Sequence, residues 1–136
     1  MRQSVRMLAL AAGLISAGAA TAQTPADLQG GYEKDARQSS SAFTGFSPAR
    51  GETFFKSTQG GDWSCASCHT QDPRTVGKHV VTGKAINPLA PAADPARFTD
   101  AVKTEKWFRR NCNDVVGRAC TTAEKGDVLA YLMSLK

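Results

Sequence analysis

One run of five residues, Cys65-Ala66-Ser67-Cys68-His69, limits what this chain can become more than any other stretch. Two thiols three positions apart, followed directly by a histidine, form the arrangement that adds to the two vinyl groups of a haem and brings an imidazole onto its iron. The run predicts a fold wrapped around one covalently held haem c, with Cys65 and Cys68 as attachment points and His69 as the proximal iron ligand. Three other chemistries use part of the pattern. A thioredoxin-like pair needs a βαβ setting, which the sequence lacks; a zinc site needs a second ligand pair, and only His79 is near; a plain disulfide leaves His69 without a role.

The N-terminus agrees with haem attachment, which takes place outside the cytoplasm. Arg2 and Arg6 flank the start of an apolar run from Met7 to Ala20, and Ala20-Thr21-Ala22 supplies small residues at cleavage spacing, so residues 1–22 read as a signal peptide. The run is shorter than the ~20 residues a spanning helix needs, and no other segment qualifies, so no membrane span is expected after cleavage. The expected location is the periplasm. Taking 22 residues from 136 leaves 114, a small domain for burying a core unaided. A large apolar cofactor and a spare cysteine pair in an oxidising compartment would both help. Without Arg2 and Arg6, 15 basic residues face 12 acidic ones, a net charge of +3. Two haem propionates would offset most of that, so the charge does not argue for nucleic acid.

From Gln23 to Phe46 the chain is polar and glycine-bearing, with Leu28, Tyr32 and Phe43 as scattered apolar residues. It reads as an N-terminal arm, 23–46, with a short helix and a linker, ahead of a haem domain over 47–136. Ser47-Pro48 offers an N-cap followed by proline at the first helical position, and Glu52 to Lys56 suits a short helix with Gly51 and Phe55 on one face. Four prolines, Pro73, Pro88, Pro91 and Pro95, predict an irregular, wrapping loop from Thr70 to Pro95. Asp94-Pro95 then opens a helix to about Asn111, with Phe98, Val102 and Trp107 turned inward. Thr121-Thr122-Ala123-Glu124 has capping-box spacing, and Val128, Leu132 and Leu135 form the stripe of a last helix beside Leu129 and Met133. No strand-like alternation appears, so the expected class is all-α, with irregular haem-wrapping loops.

An electron-transfer cytochrome fills its second axial position with methionine or histidine. Beyond the leader only Met133 and His79 are available. Met133 lies on the apolar stripe of the last helix, where core filler is the better reading, and His79, ten residues past His69, would have to cross to the opposite haem face. Each stays open as a stable sixth ligand in a simple electron carrier.

The segment Glu105-Lys106-Trp107-Phe108-Arg109-Arg110-Asn111-Cys112-Asn113-Asp114-Val115-Val116-Gly117-Arg118-Ala119-Cys120-Thr121 resembles the sphaeroides haem protein family, oxygen-binding cytochromes c of class I-like fold. The likeness extends to the Gly51–Phe55 helix, to Cys65–Thr70 and to the loop from Thr82-Gly83-Lys84 to Pro91; the N-terminal arm matches less distinctively. It implies that Asn111 is the distal iron ligand and that Cys112 is bridged to Cys120. It also implies association with a di-haem cytochrome c and oxygen or nitric oxide chemistry. Asn113, two residues on, is the alternative oxygen donor.

An asparagine carbonyl is a neutral, hard oxygen donor, so it suits ferric iron better than ferrous iron. Reduction should release it and open the position to a diatomic gas. A nine-residue disulfide loop contributes about 2.5 kcal/mol in the chain-entropy model, and a bridge at Cys112 would also restrain the backbone beside Asn111. Arg109, Arg110 and Arg118 suit propionate pairing, partner docking or a solvated face. The expected function is electron exchange with a partner cytochrome and gas binding gated by Asn111; an oxygen-reducing or nitric oxide-oxidising enzyme is the third reading.

Overall fold

The computed structural model describes residues 22–136. All but the last residue of the leader read over 1–22 lies outside the described residues. Five helices carry the fold: α1 (Pro25–Ser39), α2 (Pro48–Lys56), α3 (Cys65–His69), α4 (Ala101–Val116) and α5 (Thr122–Ser134). Two strands, β1 (Gly77–Lys78) and β2 (Ala85–Ile86), pair antiparallel with Gly77 opposite Ile86, a small ladder that the sequence pattern did not announce. None of the described helices is long and apolar enough to cross a membrane.

Local signals fix most helix ends. In α1, Thr24 and Asp27 form a reciprocal capping box with Pro25 at the first position. Ser47 accepts from the Arg50 amide to open α2, and Thr121 and Glu124 cap α5 as their spacing predicts.

The core is centred on α5. One side of it packs Val128, Tyr131 and Leu132 against Phe55 and Ala66; the other packs Leu129 against Leu28 and Tyr32 of α1. Within the 23–46 arm, the 15-residue α1 therefore shares the core with the rest of the chain, and residues 40–46 are irregular. At the α2–α5 crossing, a Cβ on Gly51 would stand 1.9 Å from the Asp127 carbonyl oxygen. The crossing is pinned beside it, where the Asp127 carboxylate accepts from the Ser47 amide at 2.7 Å and from Arg50 Nε at 2.7 Å. Backbone cannot yield as a flexible side chain would, so Gly51→Ala is expected to cost about 3 kcal/mol. Thermal unfolding of the haem-loaded protein should show it as a drop in Tm of roughly 10 °C.

The helix expected from Asp94 needs correction. Residues 94–99 form turns, and α4 begins at Ala101, where Asp100 accepts from the Lys103 amide at 2.9 Å. Asp94 does cap locally, accepting from the Ala96 amide at 3.2 Å, but Phe98 at φ +61° cannot continue a right-handed helix. The later start changes which residues face inward. Thr104 and Cys112 are buried and Phe108 half-buried, while Val102 is 81% exposed and Trp107 46% exposed; of the three residues expected inward, only Phe98 packs against the core. The helix ends five residues beyond Asn111, where Gly117 takes the left-handed conformation at φ +73°.

Candidate functional site

The site is built on α3. Ser64 is its N-cap, donating its amide to Ser67 Oγ at 2.9 Å, so that the helix starts at Cys65. Thr70 stops it directly after His69 at φ +65°, an unfavourable conformation for a β-branched residue. The Thr70 hydroxyl holds that turn by donating to the Asp72 carbonyl at 2.6 Å. Five helical residues between two firm ends present the thiols at positions i and i+3 and the imidazole beside the second.

β1 lies against the end of this helix. A Cβ on Gly77 would stand 2.1 Å from the Cys68 carbonyl oxygen, so only glycine lets the strand approach that closely. Sequence reasoning passed over Gly77, and nothing in its local context singles it out.

Cys65, Cys68 and His69 are each half-buried, and both thiols are free. Burial pushes the Cys65 thiol up to about 11. Burial, with the Arg97 guanidinium nearby, brings His69 down to about 4, which leaves its imidazole neutral with a lone pair to donate. The Phe55 ring lies 6.4 Å from the His69 ring, and Leu89, Phe98 and Phe108 pack as incompletely covered apolar side chains around the same cluster. Trp63, two residues before Cys65, is 40% exposed. Two adjacent free thiols, a neutral imidazole and a partly uncovered apolar wall are the donor set and surroundings that a haem c requires. Among the described residues, no group of three or more His, Cys, Asp or Glu side chains is placed to hold a metal ion, so a zinc site has no second ligand pair.

Arg97, also absent from the sequence reading, organises the wrapping loop. Its Nε donates to the Pro88 carbonyl at 2.8 Å and its Nη2 to the Asn87 carbonyl at 2.7 Å, while Asp94 pairs with it at 3.3 Å. The Asp94–Arg97 spacing was the one available signal.

The remaining candidates are dispersed. Asn111 and Asn113 lie exposed on the last turns of α4, with Trp107 one turn before Asn111 on the same side. The Cys112 and Cys120 sulfurs are 1.99 Å apart, at disulfide distance, linking the end of α4 to the loop that enters α5. Arg118 is engaged by Glu124 at 2.7 Å, whereas Arg109 and Arg110 are exposed and in no ion pair among the described residues.

His79 spends its Nδ1 lone pair within its own turn, accepting from the Val81 and Thr82 amides at 3.2 Å each. Met133 packs against the Leu28, Tyr32 and Leu129 cluster, on the α1 side of α5, whereas Phe55, beside His69, belongs to the other cluster. Met133→Leu keeps that volume, so it should cost under about 1.5 kcal/mol and leave the ferric absorption spectrum unchanged. A large spectral change would restore Met133 as a candidate axial ligand.

Comparison with known proteins places this arrangement. Residues 41–132 match a family described as a domain of unknown function, DUF1924. Cytochrome c-type protein SHP of Cereibacter sphaeroides is 45% identical over 131 residues, covering 93% of this chain and 96% of that protein. A solved structure of oxidised SHP, described as an oxygen-binding cytochrome c, superposes with a TM-score of 0.75 at 44% identity, covering 85% of this chain and 100% of that one. The crystal structure of oxidised cytochrome c'' from Methylophilus methylotrophus superposes with a TM-score of 0.73 at 39% identity, covering 82% of this chain and 94% of that one. With such likeness over nearly the whole of both chains, this chain belongs to the DUF1924 family and to the sphaeroides haem protein group of c-type cytochromes.

Proposed function

We propose that this chain is a periplasmic mono-haem cytochrome c that exchanges electrons with a partner cytochrome and takes up a diatomic ligand, oxygen or nitric oxide, at a position guarded by Asn111. The observation that carries the reading is α3 itself, five residues with two free half-buried thiols and a neutral imidazole beside Phe55. Haem c is the cofactor of this family, and when bound its iron would supply a one-electron couple and a site for a small ligand.

The chain's own residues divide the work. Cys65 and Cys68 tether the group through two thioether bonds. His69 would present its imidazole to the iron. Phe55 lies beside the imidazole, backed by the apolar cluster against which Leu89, Phe98 and Phe108 pack. Asn111 would offer its side-chain carbonyl to the iron of the oxidised protein, a hard oxygen donor that suits ferric better than ferrous iron and so would be released more readily on reduction. The Cys112–Cys120 link would restrain the backbone next to Asn111.

Two relatives support a displaceable ligand: SHP, described as oxygen-binding, and cytochrome c'', whose solution structure was analysed for haem-ligand detachment. The partner we envisage is a di-haem cytochrome c. The test is the absorption spectrum of the reduced holoprotein before and after addition of carbon monoxide. A shifted Soret band is expected; an unaltered spectrum would mean a sixth ligand that persists on reduction and a simple electron carrier.

A further inference from the structure

We infer that Arg97, with Asp94 as its counter-charge, tunes the reduction potential of the haem, a fixed cation on the His69 side of the site that favours the ferrous over the ferric state. The inference rests on the electron-exchange reading above and assigns two residues to the tuning of that same centre.

Backbone geometry places the guanidinium. Phe98 turns through φ +61°, a conformation that a bulky side chain rarely adopts and that persists only where surrounding contacts hold it. The turn sends two neighbours in different directions. Phe98 packs against the cluster of Phe55 and Ala66, while Arg97 reaches back to the carbonyls of Asn87 at 2.7 Å and Pro88 at 2.8 Å. Leu89, the residue after Pro88, packs against that same cluster, and so does Cys65. Both sides of the Arg97 clamp are thus seated on the apolar ground that supports α3.

Pinning the loop does not by itself call for a charge. Two carbonyls need two N–H donors, which a neutral amide also supplies, whereas a guanidinium adds a permanent positive charge. That charge is unusually sheltered. Arg97 is 28% exposed, against 47% for Arg74, the next most covered arginine in an ion pair among the described residues. Its counter-charge is held at arm's length, since the Asp94 carboxylate stands 3.3 Å from Nε and spends Oδ1 on the Ala96 amide. The other described ion pairs close to between 2.6 and 2.8 Å.

The field of Arg97 reaches the His69 ring. Ferric iron carries one positive charge more than ferrous iron, so a cation held near its ligand opposes oxidation and an anion there opposes reduction. The two members of the pair therefore pull the potential in opposite directions, which a purely mechanical role in the loop would not do.

Spectroelectrochemical titration of the holoprotein at neutral pH tests the assignment through three variants. R97Q keeps amide donors and loses the charge, R97K keeps the charge and loses the fork, and D94N keeps an acceptor for the Ala96 amide and loses the counter-charge. R97Q should lower the equilibrium constant for reduction by a reference dye by roughly threefold or more, D94N should raise it, and R97K should stay near the parent. Shifts of R97Q and D94N in the same direction, a shift in R97K equal to that in R97Q, or no shift in any variant would each overturn the assignment. Should R97Q fail to retain haem, D94N still decides, because a potential that does not rise on loss of Asp94 overturns it equally. Failure of the electron-exchange reading looks different: the parent itself would then show no reversible one-electron wave.

Discussion

Cys65→Ser/Cys68→Ser is expected to yield protein whose haem is extracted completely by acidified organic solvent, whereas the parent retains it in the protein phase. The two thiols are the only attachment chemistry α3 offers, since Cys112 and Cys120 lie at bonding distance from each other. Serine preserves the size and the helix but cannot form a thioether, so the effect isolates the covalent link from the fold. His69→Ala acts on a different function: the thioethers should survive while the ferric and ferrous spectra lose the signature of an imidazole ligand. The helix would persist in both variants, because Ser64, Ser67 and Thr70, which fix its ends, are untouched. Haem retained covalently in the double serine variant would remove the foundation of the proposed site.

Retention of the haem has a structural consequence as well. Trp63 and Trp107 are both 40% or more exposed, and Leu89, Phe98 and Phe108 are only partly covered. These side chains fall short of closing a core by themselves, in a chain whose size leaves little margin for uncovered apolar surface. Proteolysis of the double serine variant should therefore be faster after haem extraction than before, with cleavage concentrated in the loop from Thr70 to Asp100.

The parts of this fold that the sequence made legible are those decided within a few residues. α5 could be read because Thr121 and Glu124 cap it and its apolar spacing is regular; α2 could be read from Ser47-Pro48. The start of α4 was misread because two aspartates, Asp94 and Asp100, each begin a turn, and contacts distant in sequence choose between them. Arg97 is drawn to the carbonyls of Asn87 and Pro88, and Phe98 turns through positive φ to enter the core. The tie between α1, α4 and α5 through Tyr32, Glu105 and Lys125 had no local signal at all, since its members are 20 and 73 residues apart. The candidate site divides along the same line. The contiguous run Cys65 to His69 announces its chemistry, whereas Asn111 is one exposed amide among several and stands out only by resemblance.

Asn111→Ala is expected to change the ferric absorption spectrum while leaving the fold and the covalent haem intact. Asn111 is exposed and helical, and alanine has the better helix propensity by about 0.5 kcal/mol, so Tm should stay level or rise slightly. The amide carbonyl is the only group removed that can act as a donor, and water or hydroxide would take its place in the oxidised protein. On the proposed gating the asparagine would already have withdrawn in the reduced protein, so carbon monoxide affinity should remain near that of the parent. The asymmetry between the two oxidation states is the diagnostic, because a residue that merely shapes the pocket would perturb both. Asn111→Met provides the complement: a softer sulfur donor that reaches the same position would persist on reduction, raise the potential and exclude carbon monoxide. Should the alanine variant match the parent in both its ferric spectrum and its reduced gas affinity, Asn111 is not the distal group. Asn113 would then take precedence over Met133 and His79, since it shares the exposed end of α4, while Met133 is packed against α1 and His79 is committed to its own turn.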